Sequence, residues 1–210
     1  MERETALRRV SQLIDVSRET LEKLERFADL LVKWNAKINL VSPATLPDLW
    51  ERHILDSAQL VPFIPDGARN LVDIGTGGGF PGLIIGIIAQ ETHPALHVTM
   101  IESDIRKCAF LQTTSAQLGL KTTVSAKRIE AVDPLGADVL TSRALAAGPQ
   151  LLAYAHRHLA ADGKALLLKG TNAQAEIDEA LATWSFDLQK RQSETSADAV
   201  VLDISNLRPR

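Results

Sequence analysis

At 210 residues the chain is long enough for one full-sized domain with an appendage, and its 45% apolar and 23% charged content is ordinary for a soluble globular protein. A formal net charge of −3 excludes a protein that grips nucleic acid by bulk electrostatics, and the chain lacks the run of about 18 apolar residues needed to span a membrane. The single cysteine, Cys108, excludes an internal disulfide and suits a reducing cytoplasm.

The chain opens on MERETALRRVSQLIDVSRE, which is charged throughout and lacks the apolar core of a signal peptide. Residues 1–67 predict a helical extension. Ser17 is placed to cap a helix whose apolar positions Leu21, Leu24, Phe27, Ala28, Leu31 and Trp34 recur at helical steps. SPATLP at 42–47 breaks the pattern, because a residue before proline is pushed out of helical geometry. A second helix is predicted from Asp48 to about Leu60, stopped by Pro62 and the Pro65-Asp66-Gly67 turn.

At Ala68 the pattern changes to alternating strands and helices. NLVDIG reads as a buried strand, and PGLIIGIIAQE as a helix with Pro81 at its first position. LHVTMIES (96–103) is the next strand, and a helix from Asp104 to Leu118 ends at Gly119. KTTVSA, ADVLTS and KALLLKG follow as strands, with GPQLLAYAHRHLA as a helix among them. Near-continuous apolar strands between helices imply a parallel sheet covered on both faces. WSFDLQKRQ and DAVVLDIS, joined by SETSAD, read as a hairpin forming an antiparallel edge. The predicted fold is α/β, a doubly wound Rossmann-like sheet over residues 68–210 carrying a helical extension over 1–67.

The stretch LVDIGTGGGFPG (71–82) places five glycines and a proline at the end of the first strand, where open parallel sheets bind ligands. A phosphate-cradling loop would need a lysine after Gly82, and none follows. Gly77, Gly79 and Gly82 match dinucleotide spacing, but Pro81 removes an N–H where a pyrophosphate would seek donors. The favoured pattern is Gly75-x-Gly77-x-Gly79 behind the acidic Asp73, which suits a cationic ligand without phosphate: S-adenosylmethionine. Glu102, ending the second strand, is placed to accept the ribose hydroxyls of an adenosine, with a helix N-terminal charge as its plainer reading. Cys108 follows Arg106 and Lys107, a setting that can ionise a thiol, though a packed thiol is the simpler expectation.

Five stretches occur in order across residues 34–170: WNAKINLVS (34–42), RHILDS (52–57), VDIGTGGGFPG (72–82), SRA (142–144) and LLKG (167–170). Together they closely resemble the bacterial ribosomal RNA small-subunit guanine-N7 methyltransferases, the glucose-inhibited division protein B family. The resemblance implies a class I S-adenosylmethionine-dependent methyltransferase fold and modification of one guanine in 16S rRNA near the decoding region. It also implies cofactor contacts at Gly75, Phe80, Ile129, Glu130 and Arg143. The chemistry of these residues agrees. Gly75, like Gly77, lets backbone close on a ligand. Phe80 can pack on an apolar part of it, Ile129 can cover adenine, and Arg143 can pair with a carboxylate or a phosphate.

Guanine N7 presents a free lone pair at neutral pH, so its methylation needs alignment and no general base. The expected roles of Arg143 and Lys169 are therefore positional. Lys169 and, in the extension, Arg52 and His53 are candidates to clamp the RNA, with an inter-domain salt bridge as the alternative for the RHILD segment and an Arg52–Asp56 pair at helical spacing. The five histidines show no metal-ligand spacing, and His156-Arg157-His158 reads as the wet end of a helix. Residues 68–170, with 10 basic against 8 acidic side chains, are the only net-basic part, so any polyanion contact must be local. The expected partner is 16S rRNA, free or within a small-subunit particle, met by a cytoplasmic monomer. An NAD-dependent oxidoreductase, a non-catalytic ribosome-binding protein and a methyltransferase of small molecules or proteins are the competing readings.

Overall fold

The computed structural model describes residues 1–143 and 148–210; Ala144, the last residue of the SRA stretch, lies outside them. The extension begins with α1 (Arg3–Leu13) and α2 (Arg18–Asn35). Ser17 caps α2, its Oγ accepting from the Thr20 N–H at 3.4 Å. Leu24, Phe27, Ala28 and Leu31 are buried along its inner face, with Leu21 and Trp34 packed at the margin. SPATLP leaves the α-helix as expected and winds into a 3₁₀ turn, Pro43–Asp48.

The second helix is not the regular α-helix its sequence predicts. Trp50–Leu55 is a π-helical turn, followed by a single α turn, α3 (Asp56–Ala58), and a 3₁₀ turn at Val61–Phe63. The wider π turn lets three consecutive residues, His53, Ile54 and Leu55, face inward together.

The sheet comprises β1 (Asn70–Ile74), β2 (His97–Glu102), β3 (Thr122–Ala126), β4 (Ala137–Arg143), β5 (Leu159–Lys169), β6 (Trp184–Gln192) and β7 (Val200–Pro209), in the order β3-β2-β1-β4-β5-β7-β6. All pairings among β1 to β5 are parallel, while β7 lies antiparallel between β5 and β6. The remaining helices are α4 (Gly82–Thr92), α5 (Ile105–Leu118), α6 (Gly148–His158) and α7 (Ala173–Ala180). Asp104 caps α5, and Gly119 stops it in the left-handed conformation at φ 64°.

The two faces carry separate apolar clusters. On one, Leu151, Leu152 and Ile177 of α6 and α7 cover Leu140, Leu167 and Ile204. On the other, α4 and α5 share a core with the extension, in which Phe27 sits edge-on to Phe80 and tilted against Phe110. That core crosses residue 67 without a seam, so the extension packs as part of the sheet's helical layer. Among the described residues, no helix is long and apolar enough to cross a membrane. His156 and Arg157 are exposed at the end of α6, but His158 is buried, and burial pushes its pKa down; only two of those three residues form a wet helix end.

Candidate active site

The glycine loop leaves β1 at the carboxyl edge of the sheet. Gly75, Gly77 and Gly79 have φ of 68°, 56° and 91°, a region that side chains strongly disfavour. Protein neighbours explain part of the cluster. A Cβ on Gly78 would meet the Leu40 carbonyl oxygen at 3.1 Å, one on Gly79 the Leu83 side chain at 2.5 Å, and one on Gly82 the Asp73 carboxylate at 2.7 Å. Gly77 differs: the nearest atom to its Cβ direction is the Gly75 oxygen at 3.9 Å, so its outer face is open.

Glu102 meets the main-chain N–H of the same residue. Its Oε2 accepts from the Gly77 N–H at 3.0 Å, and its Oε1 accepts from the N–H groups of Ser103 and Asp104 at 2.8 and 2.9 Å. Each carboxylate oxygen has two acceptor sites, so Oε2 keeps one for a ligand hydroxyl. Asp73 is fully buried beneath the loop. Its Oδ2 accepts from the Gly82 N–H and its Oδ1 from the Thr141 hydroxyl, both at 2.9 Å, and burial raises its pKa to about 6. The parallel register that places Thr141 beside Asp73 creates this contact. Cys108 donates its thiol proton to the Glu102 carbonyl at 3.2 Å; burial raises its pKa, which settles the packed thiol over the reactive one.

Across the loop, Arg143 ends β4 and reaches the extension. Its Nη1 donates to the Arg52 carbonyl at 3.1 Å and lies 4.0 Å from Asp56 Oδ2, and its guanidinium sits 4.9 Å from the centre of the Phe80 ring. His53 is 5.0 Å from the same ring, and its Nε2 is 3.0 Å from Thr45 Oγ1. Burial, followed by the charges of Arg143 and Arg52, lowers the His53 pKa to about 3, so the ring is neutral at physiological pH. Asp56 also binds Gln59 and Thr195, each at 2.8 Å, which ties the β6–β7 loop to the extension.

The structure thus gathers Gly75, Gly77, Phe80, Glu102 and Arg143 around one loop, with several side chains engaged differently from expectation. The Phe80 ring is buried among Phe27, His53 and Arg143. The salt bridge on Asp56 comes from Arg143, while Arg52 contributes its carbonyl and leaves its side chain exposed. Lys169 ends β5 with its side chain 8% exposed and its Nζ 2.5 Å from Glu176, so it is an ion-paired, largely enclosed group. Ile129 is buried after β3, whereas Glu130 is exposed and accepts a hydrogen bond from Tyr154 that holds its carboxyl below the usual range. Thr141 went unassigned in the sequence; Asp56 was read there as a salt-bridge residue of the RHILD segment, and its partner is Arg143 on β4 and not Arg52.

Comparison with known proteins fits this geometry. The family described as rRNA small subunit methyltransferase G matches residues 20–202. Proteins named ribosomal RNA small subunit methyltransferase G from Paramagnetospirillum magneticum and Gluconobacter oxydans are each 50% identical to this chain, over 90% and 92% of it and 90% and 97% of their own lengths. Among solved structures, a SAM-dependent methyltransferase from Aquifex aeolicus (TM-score 0.58, 11% identity) covers 84% of this chain and 97% of its own. TYW2 from M. jannaschii in complex with AdoMet (TM-score 0.59, 14% identity) covers 83% and 80%. The structural matches establish the fold, and the sequence matches establish that the chain belongs to the rRNA small subunit methyltransferase G family.

Proposed function

We propose that the protein transfers a methyl group from S-adenosylmethionine to N7 of one guanine in the 16S rRNA of the small ribosomal subunit, acting as a cytoplasmic monomer. The observation that carries the proposal is the left-handed glycine loop, with room beside Gly77 and the Gly77 N–H on a Glu102 carboxylate that keeps an acceptor site for a ribose hydroxyl. When bound, S-adenosylmethionine supplies an electrophilic methyl group on a sulfonium. Gly75 and Gly77 admit it by close backbone approach, Glu102 holds its ribose, and Ile129 with the backbone at Glu130 borders its adenine. Phe80 and Arg143 shape the loop wall, and the exposed side chain of Arg52 lies at the rim.

The titratable groups around the loop favour an acceptor that carries no proton. Glu102 receives three backbone N–H groups, Asp73 is enclosed and doubly hydrogen-bonded, and His53 is neutral and held by Thr45. The single-turnover rate is therefore expected to be free of a rising limb attributable to an essential base between about pH 6 and 9. With S-adenosylmethionine saturating at every pH, so that the titration of Asp73 near 6 does not enter through cofactor affinity, a limb that disappears in one carboxylate or histidine variant would defeat N7 as the acceptor. Mapping 7-methylguanosine in rRNA from cells with and without this protein tests the target directly, and unchanged modification would overturn it.

Glu102→Gln is expected to weaken S-adenosylmethionine binding by roughly 10- to 100-fold, because an amide must point its NH₂ at either the Gly77 N–H or the Ser103 and Asp104 N–H groups. Calorimetry measures the affinity; retention of wild-type affinity would remove Glu102 from the cofactor site.

A further inference from the structure

A polar cleft of about 290 Å³ lies between the extension and the start of α5, lined by Lys37, Ile38, Asn39, Asp104, Arg106 and Lys107. Its two walls both connect to the cofactor loop. On one side, the Leu40 backbone packs against Gly78, and the Asn35 side chain fixes the turn by accepting from the Leu40 and Val41 N–H groups at 2.9 and 3.0 Å. On the other, the Asp104 N–H binds Glu102, and the Asp104 carboxylate caps α5 through the Arg106 and Lys107 N–H groups at 2.8 and 3.2 Å. The cleft is thus a rigid continuation of the cradle toward solvent.

The charges here differ from those deeper in the site. Arg143 is engaged by Asp56, Lys169 by Glu176, and His53 is neutral, so of the side chains expected to position or clamp RNA only Arg52 keeps an exposed cation. In the cleft, Lys37 and Arg106 are exposed and Lys107 is half-buried. The one acidic residue in the lining, Asp104, spends Oδ1 on the α5 cap, and among the described residues it makes an ion pair only with Arg106, at 3.6 Å. The result is a concentrated basic wall on a protein of net charge −3.

We propose that this cleft holds the RNA backbone beside the target base, with Lys37, Arg106 and Lys107 meeting phosphates and Asn39 available to a phosphate or a 2′-hydroxyl. The inference rests on the rRNA methyltransferase reading for its ligand. Phosphates are the matching chemistry because three flexible cations flank one groove that leads to the cofactor, and each phosphate neutralised releases counterions.

The test is the triple variant Lys37→Ala/Arg106→Ala/Lys107→Ala, compared with the charge-conserving Lys37→Arg/Arg106→Lys/Lys107→Arg. Binding to a 16S rRNA transcript and to small ribosomal subunits is measured across a salt series, alongside S-adenosylmethionine affinity by calorimetry. At roughly 0.7–0.9 per contact, the log–log salt slope of the alanine variant should be shallower by about 2, from a wild-type value of about −2 to −4. RNA affinity near 0.1 M salt should fall at least about tenfold, cofactor affinity should be unchanged, and the charge-conserving variant should keep the wild-type slope. An unchanged slope overturns the proposal. So does a loss shared by both variants, which would make the residues structural, or a loss on subunits but not on the transcript, which would place a ribosomal protein in the cleft. These readouts need no methylation, so a failure to find 7-methylguanosine would overturn the functional proposal without deciding the cleft.

Discussion

Asp73→Asn is expected to stabilise the protein at pH 7.5 and to weaken its hold on S-adenosylmethionine. The Asp73 carboxyl is fully enclosed, and burial moves its pKa from 3.8 to about 6 despite hydrogen bonds from Gly82 and Thr141. Between these two values the folded state keeps a proton that the unfolded state releases, so this group's contribution to stability declines as pH rises through 6. Above pH 6 the ionised carboxylate costs about 3 kcal/mol relative to its acid form. Asparagine retains the geometry, its oxygen accepting from Gly82 and its NH₂ donating to the Thr141 hydroxyl, and carries no charge. The stability difference between variant and wild type should approach about 3 kcal/mol at pH 7.5 and shrink to about 0.5 kcal/mol near pH 4. Comparing the variant with wild type at each pH also cancels the opposite trend of His53, whose depressed pKa destabilises the fold as pH falls below 6.5. A buried negative charge beneath a site for a sulfonium and an ammonium favours the ligand, so affinity should fall roughly tenfold, about 1.4 kcal/mol. Urea unfolding at both pH values and calorimetry at pH 7.5 check the two halves. Equal stability of the two proteins at pH 7.5 would contradict the first.

Asp56→Ala should destabilise the protein far more than Arg52→Ala, although both residues belong to RHILDS. Asp56 holds Arg143, Gln59 and Thr195, joining the extension, the end of β4 and the β6–β7 loop. Its removal leaves the mostly enclosed Arg143 guanidinium without its carboxylate partner, a change that costs about 2–4 kcal/mol. Arg143 should then lose its position beside Phe80, and methylation should fall with it. Arg52 offers Arg143 its main-chain carbonyl, which alanine also provides, so Arg52→Ala should stay within about 0.5 kcal/mol of wild type. Thermal and urea midpoints separate the two outcomes, and comparable losses in both variants would disprove this division of roles.

What the sequence disclosed depended on how local the cause was. Asp104 and Gly119 bracket α5 because a cap and a left-handed stop act on their own helix. The edge hairpin was visible in two runs joined by SETSAD, but the insertion of β7 between β5 and β6 arises from pairing across the sheet. The π turn was hidden because the apolar spacing of WERHIL fits an ordinary helix, and its buried residues, His53, Ile54 and Leu55, meet partners far away in sequence such as Phe80. The glycine cluster suggested a ligand loop, yet Gly78, Gly79 and Gly82 answer to Leu40, Leu83 and Asp73, while Gly77 has only the Gly75 oxygen, at 3.9 Å, in its Cβ direction. SRA drew attention to Arg143 through the family resemblance, whereas its pairing with Asp56 depends on the docking of the extension against β4. Lys169 looked like a clamp for lack of any local sign that Glu176, on α7, would take it.

The placement of β7 also bears on how the chain is made. A ribosome delivers β6 before β7, yet β7 lies between β5 and β6, with Leu167 opposite Leu202 on one side and Lys190 opposite Leu202 on the other. Until β7 emerges, β5 carries an open edge and β6 has no neighbour to bind. The link from Thr195 to Asp56 lies in the same late segment, so the extension cannot be locked to the sheet by that route while the nascent chain is still short of it. The residues of the glycine loop and Glu102 therefore leave the ribosome well before the Thr195 latch, and the finished sheet cannot assemble until its most delayed interior strand is available.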